Sequence, residues 1–215
     1  MKSCVVIGLG RFGSETAREL CALGQEVLAM DTRSERVQQI AEEVTRAVVG
    51  DSQDKDVLKA LGVQNFDCAV VAIGEDLGAS VMTTLNLKEL GVPYIVCKAK
   101  DLTHKHLLEK LGADRVVIPE REQADRLARS LASDHVLDYI QLSGQYGIIE
   151  VPAPKVWIGK SLRQLDVRAK LGVNILAIKH AGVTDISPGA DYKIEADAIM
   201  LVLGDNRALE AVQKL

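Results

Sequence analysis

Short apolar runs alternate with longer amphipathic segments from residue 3 to about residue 118. The runs are rich in Val, Ile and Ala and show no polar alternation, which is typical of parallel strands buried on both faces. The longer segments carry apolar residues at helical spacing, and several end at a glycine, as helix C-termini often do. The pattern predicts strands at 4–7, 26–30, 46–49, 68–73, 94–98 and 115–118, and helices near 12–23, 34–44, 54–61, 77–90 and 102–111.

Six strands alternating with five helices predict an α/β fold with a Rossmann-like, doubly wound parallel sheet that binds its ligand at the carboxyl ends of the strands. We expect this domain to span residues 1–118. Residues 119–135 predict a helix that leaves the sheet, because Pro119 suits a first helical turn and Leu127 and Leu131 recur at helical spacing. That helix either folds back on its own sheet or packs on a second subunit, and the sequence leaves both open.

The pattern changes from residue 136 onward. Short strands are predicted at 137–143, 146–151, 173–179 and 198–203, and helices at 161–171 and 207–215. Residues 136–215 therefore predict a small α+β domain, which is small for a catalytic domain but sufficient for ligand sensing or dimerisation.

Composition narrows the function classes. The net charge is −4 and the chain has no basic block, so we expect no nucleic-acid partner. The four cysteines lie on apolar runs without a Cys-x-x-Cys pair, which indicates reduced thiols in a cytosolic protein. No apolar stretch approaches the roughly 18 residues of a membrane-spanning helix, so we expect a cytoplasmic location.

The first predicted strand leads into a glycine motif with the spacing Gly8-x-Gly10-x-x-Gly13. In a Rossmann unit the first glycine permits the tight turn, the second lets the backbone approach phosphates, and the third lets the helix pack close to the strand. Asp31 lies eighteen residues after Gly13, at the end of the second strand, where a carboxylate binds ribose hydroxyls. The sequence therefore predicts a nucleotide whose phosphates lie at the helix N-terminus.

Three charged residues near the predicted site each have two interpretations. Arg11, inside the glycine loop, is either a solvated arginine or a contact to extra negative charge such as a terminal phosphate of ATP or ADP. Asp51 ends the third strand and either lies beside adenine or its ribose or caps the next helix. Glu120 follows the sixth strand and either complements a helix dipole or binds a cation that bridges to phosphate.

The sequence offers no catalytic constellation. His104 and His106 are two residues apart on a predicted helix and so do not face each other, and His135 and His180 have no evident acid or nucleophile nearby. We therefore expect a protein that is not an enzyme. The alternative is an NAD-dependent oxidoreductase or an NADH-sensing protein.

Several segments carry a family resemblance: GLGRFG at 8–13, VLAMD at 27–31, VVAIG at 70–74, KLGADRVVIPE at 110–120 and GVNILAIK at 172–179. They resemble the KtrA/TrkA proteins, which regulate potassium uptake and consist of an RCK (regulator of K⁺ conductance) N-lobe and C-lobe. The resemblance extends over essentially the whole chain. It implies a nucleotide-binding gating subunit that responds to ATP/ADP or NAD(H).

The resemblance also implies partners and site residues. It implies a homodimer formed through the crossover helix, assembled into an octameric ring beneath a membrane K⁺ channel subunit of the KtrB/TrkH kind. The chain would then lie at the inner face of the plasma membrane. The nucleotide-binding residues expected from the motifs and the resemblance are Gly8, Gly10, Arg11, Phe12, Gly13, Asp31, Thr32, Asp51, Ser52, Ile73, Gly74 and Glu120.

Within this set, the resemblance assigns Arg11 to the terminal phosphate of ATP and Glu120 to the inter-subunit cation or phosphate region, where the cation would be Mg²⁺ or another ion. KtrA-like C-lobes also bind cyclic di-AMP, and the matching residues here are Arg168, Asn174, Ile175 and Pro188. The same stretch fits an ordinary joint between a helix and a strand.

Overall fold

The computed structural model describes residues 1–131 and 137–215, without the side chains of residues 129 and 130. These residues form two compact units, Met1–Pro119 and Glu120–Leu215. The end of the predicted dimerisation helix (residues 132–135, with His135) and the predicted start of the C-lobe at residue 136 lie outside the described residues.

The first unit contains a parallel sheet with the strand order β3-β2-β1-β4-β5-β6. Its strands are β1 (Ser3–Ile7), β2 (Glu26–Asp31), β3 (Arg46–Val49), β4 (Cys68–Val71), β5 (Ile95–Lys98) and β6 (Arg115–Val117). The chain starts in the middle, winds outward to β3 and then returns to build the other half from β4. This order confirms the predicted doubly wound fold, and it puts the reversal of the winding between β1 and β4.

Helices connect these strands. They are α1 (Arg11–Ala22), α2 (Ser34–Ile40), α3 (Lys55–Ala60), α4 (Leu77–Glu89) and α5 (Leu102–Lys110), with a short 3₁₀ helix at Val63–Asn65. The prediction of a helix over 34–44 was wrong at its end. The amide of Glu43 donates to the carbonyl of Ile40 at 2.9 Å, and this three-residue spacing closes α2 with a tight turn before the β-branched Val44 and Thr45.

Both faces of the sheet are buried, as the unalternating strand sequences require. Along β1, Val5 and Ile7 pack into the hydrophobic cluster on one face, and Val6 packs into the cluster on the other. All three side chains are at most 2% exposed. The sheet is therefore a rigid scaffold, and its carboxyl edge is where side chains remain available for a ligand.

The second unit contains an antiparallel sheet with the strand order β10-β9-β11-β8-β7. Its strands are β7 (Asp138–Gln141), β8 (Tyr146–Pro152), β9 (Asn174–His180), β10 (Val183–Asp185) and β11 (Ile199–Asp205). Its helices are α7 (Leu162–Leu165), α8 (Val167–Leu171) and α9 (Asn206–Gln213), a 3₁₀ helix lies at Lys155–Trp157, and α6 (Pro119–Leu131) begins at the last residue of the first unit. Within the described residues, no helix has the length and apolarity needed to cross a membrane.

Two predictions for this unit were wrong. The single helix predicted at 161–171 is divided into α7 and α8 by Asp166, which adopts a left-handed conformation with φ 45°. The edge strand β10 was missed because it follows a two-residue hairpin turn, Ala181 and Gly182, with φ values of 48° and 79°. Positive φ at both positions suits a tight hairpin, but alanine rarely adopts it and so gives no turn signal.

Candidate functional site

The connection from β1 to α1 depends on two glycines that admit no side chain. Gly8 has φ +92°, and a Cβ there would lie 3.1 Å from the carbonyl carbon of Ala72. A Cβ on Gly13 would lie only 1.9 Å from the carbonyl oxygen of Gly8. Because that neighbour is backbone, no side-chain rotation relieves the overlap. The first turn of α1 therefore lies directly against the loop.

Gly10 has a different environment. It is the N-cap of α1, it makes no side-chain capping hydrogen bond, and a Cβ on it would meet no atom within 4 Å. The space beside Gly10 is therefore open at the start of α1, where the helix dipole and the N–H groups of the first turn favour an anion. This arrangement fits a phosphate chain lying across the loop.

Asp31 ends β2 beside this loop and is 6% exposed. Its carboxylate accepts hydrogen bonds from the amide of Leu9 at 2.7 Å, from the amide of Arg33 at 2.9 Å and from the guanidinium of Arg36 at 3.2 Å. A carboxylate has about four acceptor positions, so three internal donors leave one for a ribose hydroxyl. Sequence reasoning missed Arg36, whose five-residue separation from Asp31 carries no motif.

The loop after β3 corrects one interpretation of Asp51. The N-cap of α3 is Asp54, whose carboxylate accepts from the amide of Asp56 at 2.9 Å. Asp51 instead accepts from the amide of Gln53 at 2.9 Å in a local turn, and it is exposed. The neighbouring Ser52 is 5% exposed, and its hydroxyl lies 2.6 Å from that of Thr83 on α4. A ligand contact at Ser52 would therefore involve its backbone.

The remaining predicted residues of the first unit follow the same strand ends. Arg11 and Phe12 open α1, Thr32 follows β2, and Ile73 and Gly74 follow β4. Arg11 and Thr32 are exposed, whereas Ile73 is half-buried and packs against the core. Because β1 to β4 are parallel neighbours, these residues and the glycine loop lie at one edge of the sheet.

Lys98 also lies at this edge and was missed. It is the last residue of β5, and its Nζ lies 5.9 Å from the centroid of the Phe12 ring. The available signal was a single charged residue closing an apolar strand. Sequence reasoning alone could not bring that residue against Phe12, which is far from it along the chain.

The Cys97 thiol and the His104 imidazole of this unit are buried and contact neighbouring protein groups. Burial raises the pKa of the Cys97 thiol to about 11. His104 is 2% exposed, its Nε2 lies 3.2 Å from the hydroxyl of Ser80, and desolvation lowers its pKa. In residues 1–131 and 137–215, no group of three or more His, Cys, Asp or Glu side chains is arranged to hold a metal ion.

The second unit contains the other predicted residues. Glu120 is exposed in the first turn of α6. Asn174 lines an open groove of about 640 Å³ together with Tyr146, Asp205 and others. In the part of the chain that the structure describes, the lining of this groove does not include Arg168, Ile175 or Pro188, which lie on α8, on β9 and after β10.

Comparison with known proteins matches both units. The TrkA-N domain model matches residues 4–119 and the TrkA-C domain model matches residues 147–215. Ktr system potassium uptake protein C of Bacillus subtilis (strain 168) is 44% identical over 213 residues, which cover 99% of this chain and 96% of the relative. Ktr system potassium uptake protein A of the same organism is 42% identical over 209 residues, covering 97% and 94%.

Among solved structures, the GsuK channel bound to NAD has a TM-score of 0.70 at 18% identity, and the match covers 99% of this chain and 39% of the channel chain. That likeness shows the fold. With two domain models that together match most of the chain and relatives above 40% identity over nearly its full length, the chain belongs to the family of TrkA and Ktr potassium uptake proteins.

Proposed function

We propose that this chain is the nucleotide-binding regulatory subunit of a potassium uptake system and that it gates a membrane-embedded K⁺ channel subunit from the cytoplasmic side. Its relatives are named as potassium uptake proteins of the Ktr system. Nucleotide binding is supported mainly by the phosphate cradle, formed by Gly8, Gly10 and Gly13 at the start of α1. There Gly13 has no room for a Cβ, and the space beside Gly10 is open. In this proposal residues 1–118 bind the nucleotide, residues 119–135 form the dimerisation helix, and residues 136–215 are the C-lobe.

The nucleotide class we propose is ATP and ADP, with NAD(H) as the competing ligand. Arg11 supports this choice, because it is the first residue of α1 and its exposed guanidinium forms no hydrogen bond or ion pair with the described residues. A guanidinium binds phosphate through two parallel hydrogen bonds and remains charged at all physiological pH values. At this position it can respond to the number of phosphates.

The test is calorimetric titration of the full chain with ATP, ADP, AMP and NADH. We expect Arg11→Ala to reduce the preference for ATP over ADP by roughly tenfold, since one charge-assisted hydrogen bond is worth about 1.5–3 kcal/mol before side-chain ordering. Arg46→Ala is the matched control, because Arg46 is also exposed but begins β3 at the opposite edge of the sheet. Equal affinities of the unaltered protein for ATP and ADP would contradict the assignment of Arg11.

The proposed gating role is tested by measuring potassium transport. Potassium flux through the partner channel, reconstituted in lipid vesicles with the purified chain, should differ between saturating ATP and saturating ADP. Flux that does not depend on the added chain would refute the regulatory role. A measurable turnover of NADH with a small substrate would instead favour the oxidoreductase.

Assembly is proposed as a homodimer through α6 and then an octameric ring. The support from the structure is on α6 itself, where Leu127 is 59% and Leu131 is 75% exposed. Leucines four residues apart on one helix face are suited to pack against a second copy. Native mass spectrometry of the full chain should give eight copies, and a monomer at micromolar concentration would exclude the ring.

Two further ligands remain predictions. Glu120 is proposed to bind a cation, Mg²⁺ or another, and the groove that contains Asn174 is the place to look for cyclic di-AMP in the C-lobe. Calorimetric titration of cyclic di-AMP into the unaltered chain and into Asn174→Ala tests the proposed cyclic di-AMP site. Binding of unaltered strength in that variant would remove Asn174 from the site.

A further inference from the structure

Lys98 occupies a distinctive position in the sheet. The strand order β3-β2-β1-β4-β5-β6 places β1 and β4 at the point where the winding reverses, and β5 adjoins β4. In open α/β sheets the crevice outside the carboxyl ends at such a reversal is where ligands bind. Lys98 closes β5 at that edge, and its side chain is half-buried.

Two contacts show where the ammonium lies. Its Nζ is 5.9 Å from the centroid of the Phe12 ring, in the first turn of α1. A Cβ built on Gly74, in the loop after β4, would lie 3.5 Å from both Cε and Nζ of Lys98. The lysine therefore extends across the carboxyl end of β4 toward the N-terminus of α1, where the phosphate cradle is.

Lys98 and Asp31 lie on opposite sides of β1, which relates them to opposite ends of a bound nucleotide. Asp31 ends β2, on one side of β1, and holds the acceptor position proposed for the ribose. Lys98 lies on the other side, beyond β4. A nucleotide with its ribose at Asp31 and its first phosphates over the Gly10 amides extends its remaining groups toward β4 and β5. In ATP the remaining group is the γ-phosphate, and in NAD(H) it is the nicotinamide ribose and ring.

We propose that Lys98 is a second phosphate-binding cation, that it acts on the terminal phosphate of ATP together with Arg11, and that it selects nucleoside triphosphates over NAD(H). This inference rests on the proposed function and deepens it. The ring of Phe12 holds the ammonium by a cation–π contact, whose range is about 6 Å. An ammonium has three N–H donors, so contact with a ring face is compatible with donation to phosphate oxygens.

Arg11 and Lys98 differ in their exposure to solvent. Arg11 is exposed at the start of α1, so its guanidinium reaches the phosphate chain from solvent. Lys98 is a flexible point charge that reaches the chain from within the crevice, and removing water around a charge strengthens its attraction to phosphate. Selection against the nicotinamide end follows, because an ammonium is attracted more strongly to a charged phosphate than to an uncharged ribose.

The test is Lys98→Met, which keeps the apolar stem against Phe12 and removes the charge. Lys110→Met is the matched control, because Lys110 is an exposed lysine at the end of α5, at the opposite edge of the sheet. Calorimetric titrations of the full chain with ATP, ADP, AMP and NADH are made at one ionic strength. We expect Lys98→Met to weaken ATP binding roughly ten- to hundredfold and ADP and AMP binding less than about threefold.

The same variant should lower the preference for ATP over NADH by about tenfold. Phe12→Leu provides a second perturbation that leaves Lys98 in place. It should weaken ATP binding by less than Lys98→Met, since the loss of a cation–π contact only loosens the ammonium. Thermal unfolding of each variant without ligand checks that the first unit remains folded.

The outcomes distinguish a wrong role for Lys98 from a wrong nucleotide function. If the unaltered chain binds ATP and Lys98→Met binds it equally well, or loses ATP and AMP affinity to the same extent, the role of Lys98 is wrong and the proposed function stands. If the unaltered chain binds none of the four nucleotides, the proposed nucleotide function itself is refuted, and the role of Lys98 is refuted with it.

Discussion

Replacing Gly13 by alanine tests whether the α1 cradle has the shape described. The new Cβ would lie 1.9 Å from the carbonyl oxygen of Gly8 and 3.0 Å from the Cβ of Ala72. Since non-bonded heavy atoms settle near 3.5 Å, α1 must move away from the loop by roughly 1–1.5 Å. Overpacking costs about 1–3 kcal/mol, and the upper end applies because the neighbouring atom is rigid backbone. The helix preference of alanine over glycine returns about 1 kcal/mol, so we expect a net loss of about 2 kcal/mol.

Gly10→Ala is the matched control for folding stability, because its Cβ meets no atom within 4 Å and its φ of −72° suits any residue. Its methyl group would occupy the open space over the first turn of α1. We therefore expect near-normal folding stability and a loss of nucleotide affinity. Gly13→Ala should lose both, since the displaced helix no longer presents its amides at the same place.

The assay combines urea unfolding of the unliganded chain, followed by circular dichroism, with calorimetric titration of ATP and AMP. A lower unfolding midpoint for Gly13→Ala at unchanged slope reports lost stability. An unchanged midpoint would show that α1 tolerates a side chain there and that the close approach is wrong. Unaltered affinity of Gly10→Ala for ATP would show that phosphate does not lie across this turn.

Two further predictions concern buried polar groups of the first unit. Asn86, 5% exposed, donates its side-chain amide to the carbonyls of Ser52 and Gln53 at 3.2 and 2.9 Å. Asn86→Leu should lower the free energy of unfolding by about 2 kcal/mol, measured in urea, because two carbonyls lose a donor; an unchanged value would mean that water replaces the amide. Desolvation lowers the pKa of His104, so the unfolded chain binds the proton first, and stability should fall as the pH drops below about 6.5. In His104→Gln this slope between pH 6.5 and 5 should flatten, and a slope as steep as that of the unaltered chain would assign the effect to other groups.

The fold of the first unit could be predicted because its local signals agree. Buried strands such as β1 and β4 are continuous apolar runs, and helix starts carry capping residues, as at Asp76, which accepts from the amide of Ala79 at 2.9 Å. Turn chemistry that departs from the usual residue types was not predictable. Asp166 and Ala181 adopt positive φ without being glycine, so the break between α7 and α8 and the hairpin before β10 left no trace in the residue pattern.

The candidate site was predictable only where a motif spans a short stretch. Gly8, Gly13 and Asp31 are separated by distances that recur in nucleotide-binding turns. Lys98 and Asn86 contact residues far away in the chain, and the place of Lys98 at the sheet edge follows from the strand order. Asn86, for example, contacts Ser52 across a sequence separation of 34 residues. Such contacts depend on which strands are neighbours, so sequence periodicity does not contain them.

The cations at this edge also bear on how much selectivity a gating subunit requires. A ligand shifts a conformational equilibrium only by its difference in affinity for the two states. Moving a ring from 1:99 to 99:1 takes about 5.5 kcal/mol, and a tenfold affinity difference supplies about 1.4 kcal/mol per bound ligand. Four protomers of the proposed octamer, each with a tenfold difference, would therefore suffice. Arg11 and Lys98 supply such a difference only if they contact the phosphates in one ring state and not in the other.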